Sequence, residues 1–180
     1  RLLCLGHGLA ARTLALLEKQ DPALPQRLKK ENVMILINLA IGLLTMMGCL
    51  IVQVSFSFWS FRYALRQAGE PGGNGLFPGI RTLLLAMVIM MLGNFLQIAL
   101  WGTLFFWLGE FREFYEAVYH SAVNFTSLGY GDIVMSSERK FLGPLEALNG
   151  ILMLGLTSAA LLGILQHLVK GQQQLHGHRD

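Results

Sequence analysis

The chain has 180 residues, 53% of them hydrophobic and only 14% charged, too few polar groups to cover an ordinary soluble domain. The formal charge of +3 comes from Lys and Arg on the flanks of apolar segments, with no basic stripe, which argues against a nucleic-acid partner. Cys4 and Cys49 are the only cysteines, too few for a zinc framework and without support for a disulfide, and no cofactor is expected. The sequence starts at Arg1 without a signal-peptide pattern, and so reads as beginning inside a longer product or after processing.

Residues 1–32 form an N-terminal arm. Leu3, Leu5, Leu9, Leu14, Leu16 and Leu17 recur at roughly helical spacing, which predicts a short amphipathic helix ended by Asp21, Pro22 and Pro25. Arg27, Lys29 and Lys30 close the arm.

Residues 33–79 supply an additional membrane-spanning helix and a loop. The apolar run Val33 to Trp59 exceeds the roughly 18 residues that mark a span and carries no Arg at every third position, so it is not a voltage sensor. Phe56, Phe58, Trp59, Phe61 and Tyr63, followed by Arg62 and Arg66, suit a membrane interface. Gln67 to Gly75 is rich in Gly with one Pro, which is loop chemistry. With Arg81, these arginines make the loop cytoplasmic by the positive-inside rule, yet three spans then put the basic arm outside.

A second span covers 80–108 and ends in Trp101, Phe105, Phe106 and Trp107. Its polar residues Asn94 and Gln97 suit hydrogen bonds between helices. A third span covers 144–169, after Gly143-Pro144, and residues 170–180 are a polar tail whose His176 and His178 are too few to make a metal site. Gly155, Ala159 and Gly163 fall every fourth residue and allow close backbone approach. Gly150 and Gly155 are the candidate bending points, and Thr157 and Ser158 the candidate lining of a cavity. Glu146 near the start of this span is read as a first-turn residue at the interface.

The chemistry lies between the second and third spans. Residues 113–125 are helical in pattern but too short and polar to cross a bilayer, and they lead into Thr126-Ser127-Leu128-Gly129-Tyr130-Gly131-Asp132. A short helix followed by irregular backbone is a re-entrant segment, which persists at membrane depth only where it is buried in protein or lines a watery path. Glycines at alternating positions permit left-handed backbone angles that turn successive carbonyls toward one axis, where a cation can take the place of missing donors. One chain supplies one ribbon of carbonyls. A ring that replaces a hydration shell needs four, which predicts a homotetramer in membrane lipid.

The run Thr126 to Asp132, preceded by a pore helix and followed by an apolar inner helix, resembles the potassium-channel pore domain, and the resemblance covers roughly Ile80 to Val169. It implies an all-α membrane protein: outer helix 80–108, pore helix 113–125, filter 126–132 and inner helix 144–169. It implies K+ held by carbonyls of Ser127, Leu128, Gly129 and Tyr130, with Gly131 completing the ribbon and Thr126 and Asp132 at its two ends. Ser127 stands where the family has Thr, and Leu128 where it has Val or Ile. Both keep the backbone oxygen, whereas Leu128 lacks β-branching and packs differently behind the filter. Matching the pore helix places Tyr119 against Asp132 and His120 against the Tyr130 hydroxyl, with Val123 where some members carry Glu. A His there suggests a response to external pH, with a packed neutral imidazole as the alternative.

The expected function is therefore passive K+ conduction by a multi-pass protein of the cell (inner) membrane. The rivals are a weakly selective monovalent cation channel and a non-conducting assembly protein. An enzyme is disfavoured, because the spans carry no paired acids, no nucleophile with a base and no metal-ligand spacing.

Overall fold

The computed structural model describes residues 24–68 and 76–176. The amphipathic helix expected over 2–19, most of the loop after Gln67, and His178 lie outside the described residues. The rest is helical: α1 (Leu24–Ala68), α2 (Leu76–Trp107), α3 (Phe114–Phe125) and α4 (Leu142–His176). Helices α1, α2 and α4 are long and apolar enough to cross a membrane.

Helix ends differ from the sequence expectation in one consistent way. No break separates the arm from the first span at residue 32, because α1 runs unbroken from Leu24 through Arg27, Lys29 and Lys30. Likewise α2 begins at Leu76 and α4 at Leu142, ahead of the expected 80 and 144. Pro25, Pro78 and Pro144 each fall in a first helical turn, where the missing N–H has no intrahelical acceptor to lose.

Helix α2 packs against α1, α3 and α4, while α3 sits between α2 and α4. Around the start of α3, Cys49, Trp101, Phe105, Phe111, Met135 and Leu142 form one core cluster. Ile98, Phe125 and Met153 form a second under the end of α3, and Ala64, Ala86, Met90 and Ile164 a third at the far end. Leu44, Ile51, Phe58 and Trp59 on α1 and Phe95 on α2 remain exposed, as a lipid-facing surface requires.

Polar ties hold α1 along its length. Asn38 Nδ2 donates to the Glu138 carbonyl at 2.7 Å, and Lys30 pairs with Glu138 at 3.8 Å. Deeper, Gln97 Nε2 donates to Gln53 Oε1 and Gln53 Nε2 to Thr157 Oγ1, both at 2.7 Å. Near the other end Ser60 donates to the Ala86 carbonyl at 3.3 Å and Arg81 to Gln67 Oε1 at 3.3 Å. The start of α1 therefore lies at the same end of the bundle as the loop that follows residues 126–132, and the α1–α2 connection lies at the opposite end.

Candidate functional site: the segment after the pore helix

Helix α3 opens at Glu113 and closes at Thr126, which caps the helix in an ordinary αR conformation. The amide of Thr126 donates to the Ala122 carbonyl at 3.1 Å, that of Ser127 to Asn124 at 2.8 Å and that of Leu128 to Val123 at 3.0 Å. These bonds satisfy the last carbonyls of α3 with donors from the chain that leaves it. Thr126 Oγ1 also donates back to Ala122 at 2.7 Å, so its hydroxyl is used inside the helix end.

Beyond this cap the backbone alternates. Ser127, Gly129 and Gly131 have φ of 59°, 59° and 71°, all in the left-handed region, and the residues between them do not. Such alternation turns consecutive carbonyls toward the same side of the ribbon. Among the described residues no donor reaches the carbonyls of Ser127, Leu128, Gly129, Tyr130 or Gly131. The ribbon lies exposed on the protomer surface, and five consecutive carbonyls without partners would be unstable at membrane depth unless something else supplied positive charge.

The Asp132 end of the ribbon is braced. Tyr119 donates its hydroxyl to Asp132 Oδ2 at 2.8 Å, and Asp132 Oδ1 accepts the Ile133 amide at 3.0 Å. The carboxylate partner holds the Tyr119 phenol above its ordinary pKa, since losing the proton would break the bond and set two negative charges together.

A family model described as an ion channel matches residues 94–167, the second half of α2 through most of α4. Over these residues the chain is similar to ion channels. No curated protein and no solved structure matches the chain. The matched segment contains the whole alternating ribbon and its braces.

His120 does not meet Tyr130, contrary to the expectation from sequence. Its Nδ1 lies 2.9 Å from the Ile133 carbonyl, which can only accept, and its Nε2 lies 2.8 Å from Asn124 Nδ2, which can only donate. The imidazole is thus neutral with the proton on Nδ1. Its ring packs on Phe105 and Phe111, at centroid distances of 5.7 and 5.0 Å. Both nitrogens are engaged, and the Tyr130 ring, 67% exposed in the protomer, points elsewhere. Burial pushes the His120 pKa below its ordinary value, opposed by the bond to Ile133.

The other candidates are placed unevenly. Gly150 approaches the end of α3 so closely that an added Cβ would lie 2.7 Å from the Phe125 carbonyl carbon and nearer still to its oxygen, whereas Gly155 has open space. Gly150 is therefore a contact glycine within the protomer, a role distinct from that of a bending point. Thr157, expected in a cavity wall, instead accepts from Gln53 and, at 3.4 Å, from Asn94, while donating to the Met153 carbonyl. It faces α1 and α2. Ser158 is exposed and donates back to Leu154.

Two acids are buried. Glu110 has a side chain only 6% exposed and pairs with Arg139 at 3.5 Å. It also accepts from the Ser136 amide at 2.7 Å and the Ser136 hydroxyl at 3.0 Å, fastening the end of α2 to the loop that follows residues 126–132. Glu146, placed at the interface from sequence, is fully buried, with Ser121 of the pore helix on Oε1. The pore helix crosses α4 at this point and removes the first turn from solvent. Sequence reasoning passed over Ser121 and Asn149 and gave Asn124 no role; the signal was present in the i, i+3 spacing of Ser121 with Asn124 and Glu146 with Asn149, each a polar pair on one helical face.

Proposed function

We propose that the chain is the pore-forming subunit of a potassium-selective channel, in which four copies surround a filter built from Ser127 to Gly131. The single observation that carries this reading is the run of five unpartnered carbonyls with left-handed residues at 127, 129 and 131. Four such ribbons around one axis replace the water shell of a K+ ion with carbonyl oxygens, and adjacent occupied sites drive conduction by repulsion. The C-terminal ends of four α3 helices point partial negative charge at the entry, which stabilises a cation in low-dielectric surroundings. No covalent chemistry and no cofactor take part; K+ is the permeant ligand.

Each protomer crosses the membrane three times in this reading. The filter's outer mouth, Asp132 and the start of α1 face outside, and the α1–α2 connection with Arg62, Arg66 and Arg81 faces the cytoplasm. Asn38 and Lys30 on Glu138 support this arrangement by holding the start of α1 beside the post-filter loop.

The test is ion flux from liposomes containing the purified protein, with K+ and Na+ gradients compared for the parent and for Gly129→Ala. At φ 59° an L side chain costs about 1–2 kcal/mol and disturbs the carbonyl ring. Selective K+ flux lost in the variant is the expected result. Equal flux of both ions overturns the selectivity and leaves a weakly selective pore, in line with Ser127 and Leu128. Absence of flux together with absence of a tetramer overturns the channel reading itself.

A further inference from the structure

Behind the pore helix, each of the four helices contributes a buried polar side chain to one junction. Glu146 and Asn149 come from α4, Ser121 and Asn124 from α3, Trp101 from α2 and Cys49 from α1. Cys49, Trp101, Ser121, Glu146 and Asn149 are wholly inaccessible, and no Lys, Arg or His faces the Glu146 carboxyl within this group. Glu146 Oε2, both polar atoms of the Asn149 amide and Trp101 Nε1 have no hydrogen-bond partner.

Proton counting is informative here. Ser121 Oγ lies 2.8 Å from the Ile98 carbonyl and also within hydrogen-bonding reach of Glu146 Oε1. A hydroxyl has one proton to give, and the Ile98 carbonyl can only accept. Both contacts are satisfied at once only if Ser121 donates to Ile98 and Glu146 donates to Ser121. An ionised Glu146 would leave one of the two contacts without a proton. It would also hold a charge without a cationic partner, with one oxygen free, inside a membrane bundle, where desolvation outweighs what the neutral side chains of Ser121 and Asn124 return.

We infer that Glu146 is a neutral carboxylic acid that positions the filter: its proton, given to Ser121 and relayed by the Ser121 hydroxyl to Ile98, ties α4 to α3 and α3 to α2 directly behind the ribbon. Ser121 lies on the same short helix as Val123, whose carbonyl accepts the Leu128 amide, so the tie fixes the body from which the filter is suspended. Glu146 touches no ion and acts through the placement of α3. The conduction part of this inference rests on the potassium-channel reading above, and the protonation state does not.

Two measurements test it. The first is infrared difference spectroscopy of the parent against Glu146→Gln in liposomes at neutral pH. The carbonyl stretch of a protonated acid is expected in the parent and absent from the variant; carboxylate bands in its place overturn the inference. The second is selectivity. Gln keeps a neutral donor and acceptor of the same shape, so Glu146→Gln retains the parental K+ over Na+ permeability ratio. Glu146→Ala lowers it by about tenfold, the worth of one strong hydrogen bond. Ser121→Ala breaks the same tie from the other side and gives the same loss if Glu146→Ala does not assemble. A Gln variant that loses selectivity, or Ala variants that keep it, overturns the positioning role. A parent without flux counts against the channel reading, and the acid band still decides the state of Glu146.

Discussion

Replacing Gly150 by Ala tests whether α4 must touch the end of the pore helix. The new Cβ would lie 2.7 Å from the Phe125 carbonyl carbon and 3.0 Å from its Cα, with the carbonyl oxygen closer still. Ordinary carbon–carbon contacts begin at about 3.5 Å, so the two backbones must part by about 1 Å or more. The atoms struck are backbone, which cannot rotate aside, and the surrounding Ile98, Phe125 and Met153 are close-packed. Overpacking of this kind costs about 1–3 kcal/mol, and the gain from removing a helical glycine, about 1 kcal/mol, offsets only part of it. Phe125 directly precedes the filter, so the displacement carries into Thr126 and Ser127. The assay pairs thermal unfolding in detergent with K+ and Na+ flux, and Gly48→Ala is the control, since a Cβ there meets nothing within 4 Å. Gly48→Ala is expected to melt at or slightly above the parent, and Gly150→Ala below it with impaired selectivity. A Gly150→Ala protein as stable and as selective as the parent would refute the close-approach argument.

Two further outcomes are expected. Because burial lowers the His120 pKa, the folded protein resists a proton that the unfolded chain accepts below about pH 6.5. Stability is therefore full above that value and declines as pH falls through the folded pKa, and His120→Gln flattens this part of a thermal-midpoint profile against pH; an unchanged slope would sink the assignment. A double-mutant cycle on Gln53→Leu and Thr157→Val should give a coupling of about 0.6–1.7 kcal/mol in the stability of the solubilised protein, typical of hydrogen bonds between membrane helices. Strict additivity would mean that α1 is not held through this bond.

The three long apolar helices, the short helix and the left-handed ribbon after it were legible because each follows from a local rule. Apolar length marks α1, α2 and α4, and alternating glycines at 129 and 131 mark the ribbon. Ser127 adopts the same left-handed angle without being glycine, which composition alone does not announce. What escaped the sequence depends on how helices cross. Pro25, Pro78 and Pro144 look like boundaries but sit inside first turns. Glu146 looks interfacial by position, yet the crossing of α3 over α4 buries it. Thr157 and His120 have side chains that could face either of two neighbours, and one-dimensional periodicity does not say which partner is offered. Tyr119 with Asp132 shows the converse, since the contact that the family resemblance implied is present in the fold.

The bonds from Gln53 to Thr157 and Gln97 have a mechanical implication. Helix α1 presents Leu44, Ile51, Phe58 and Trp59 to lipid while its buried amide grips the inner helix a short way below Gly150. If α4 tilts, either that amide bond breaks or α1 travels with it and drags a lipid-covered surface through the bilayer. The thickness and lateral tension of the membrane thereby enter the energy difference between any two positions of the inner helix.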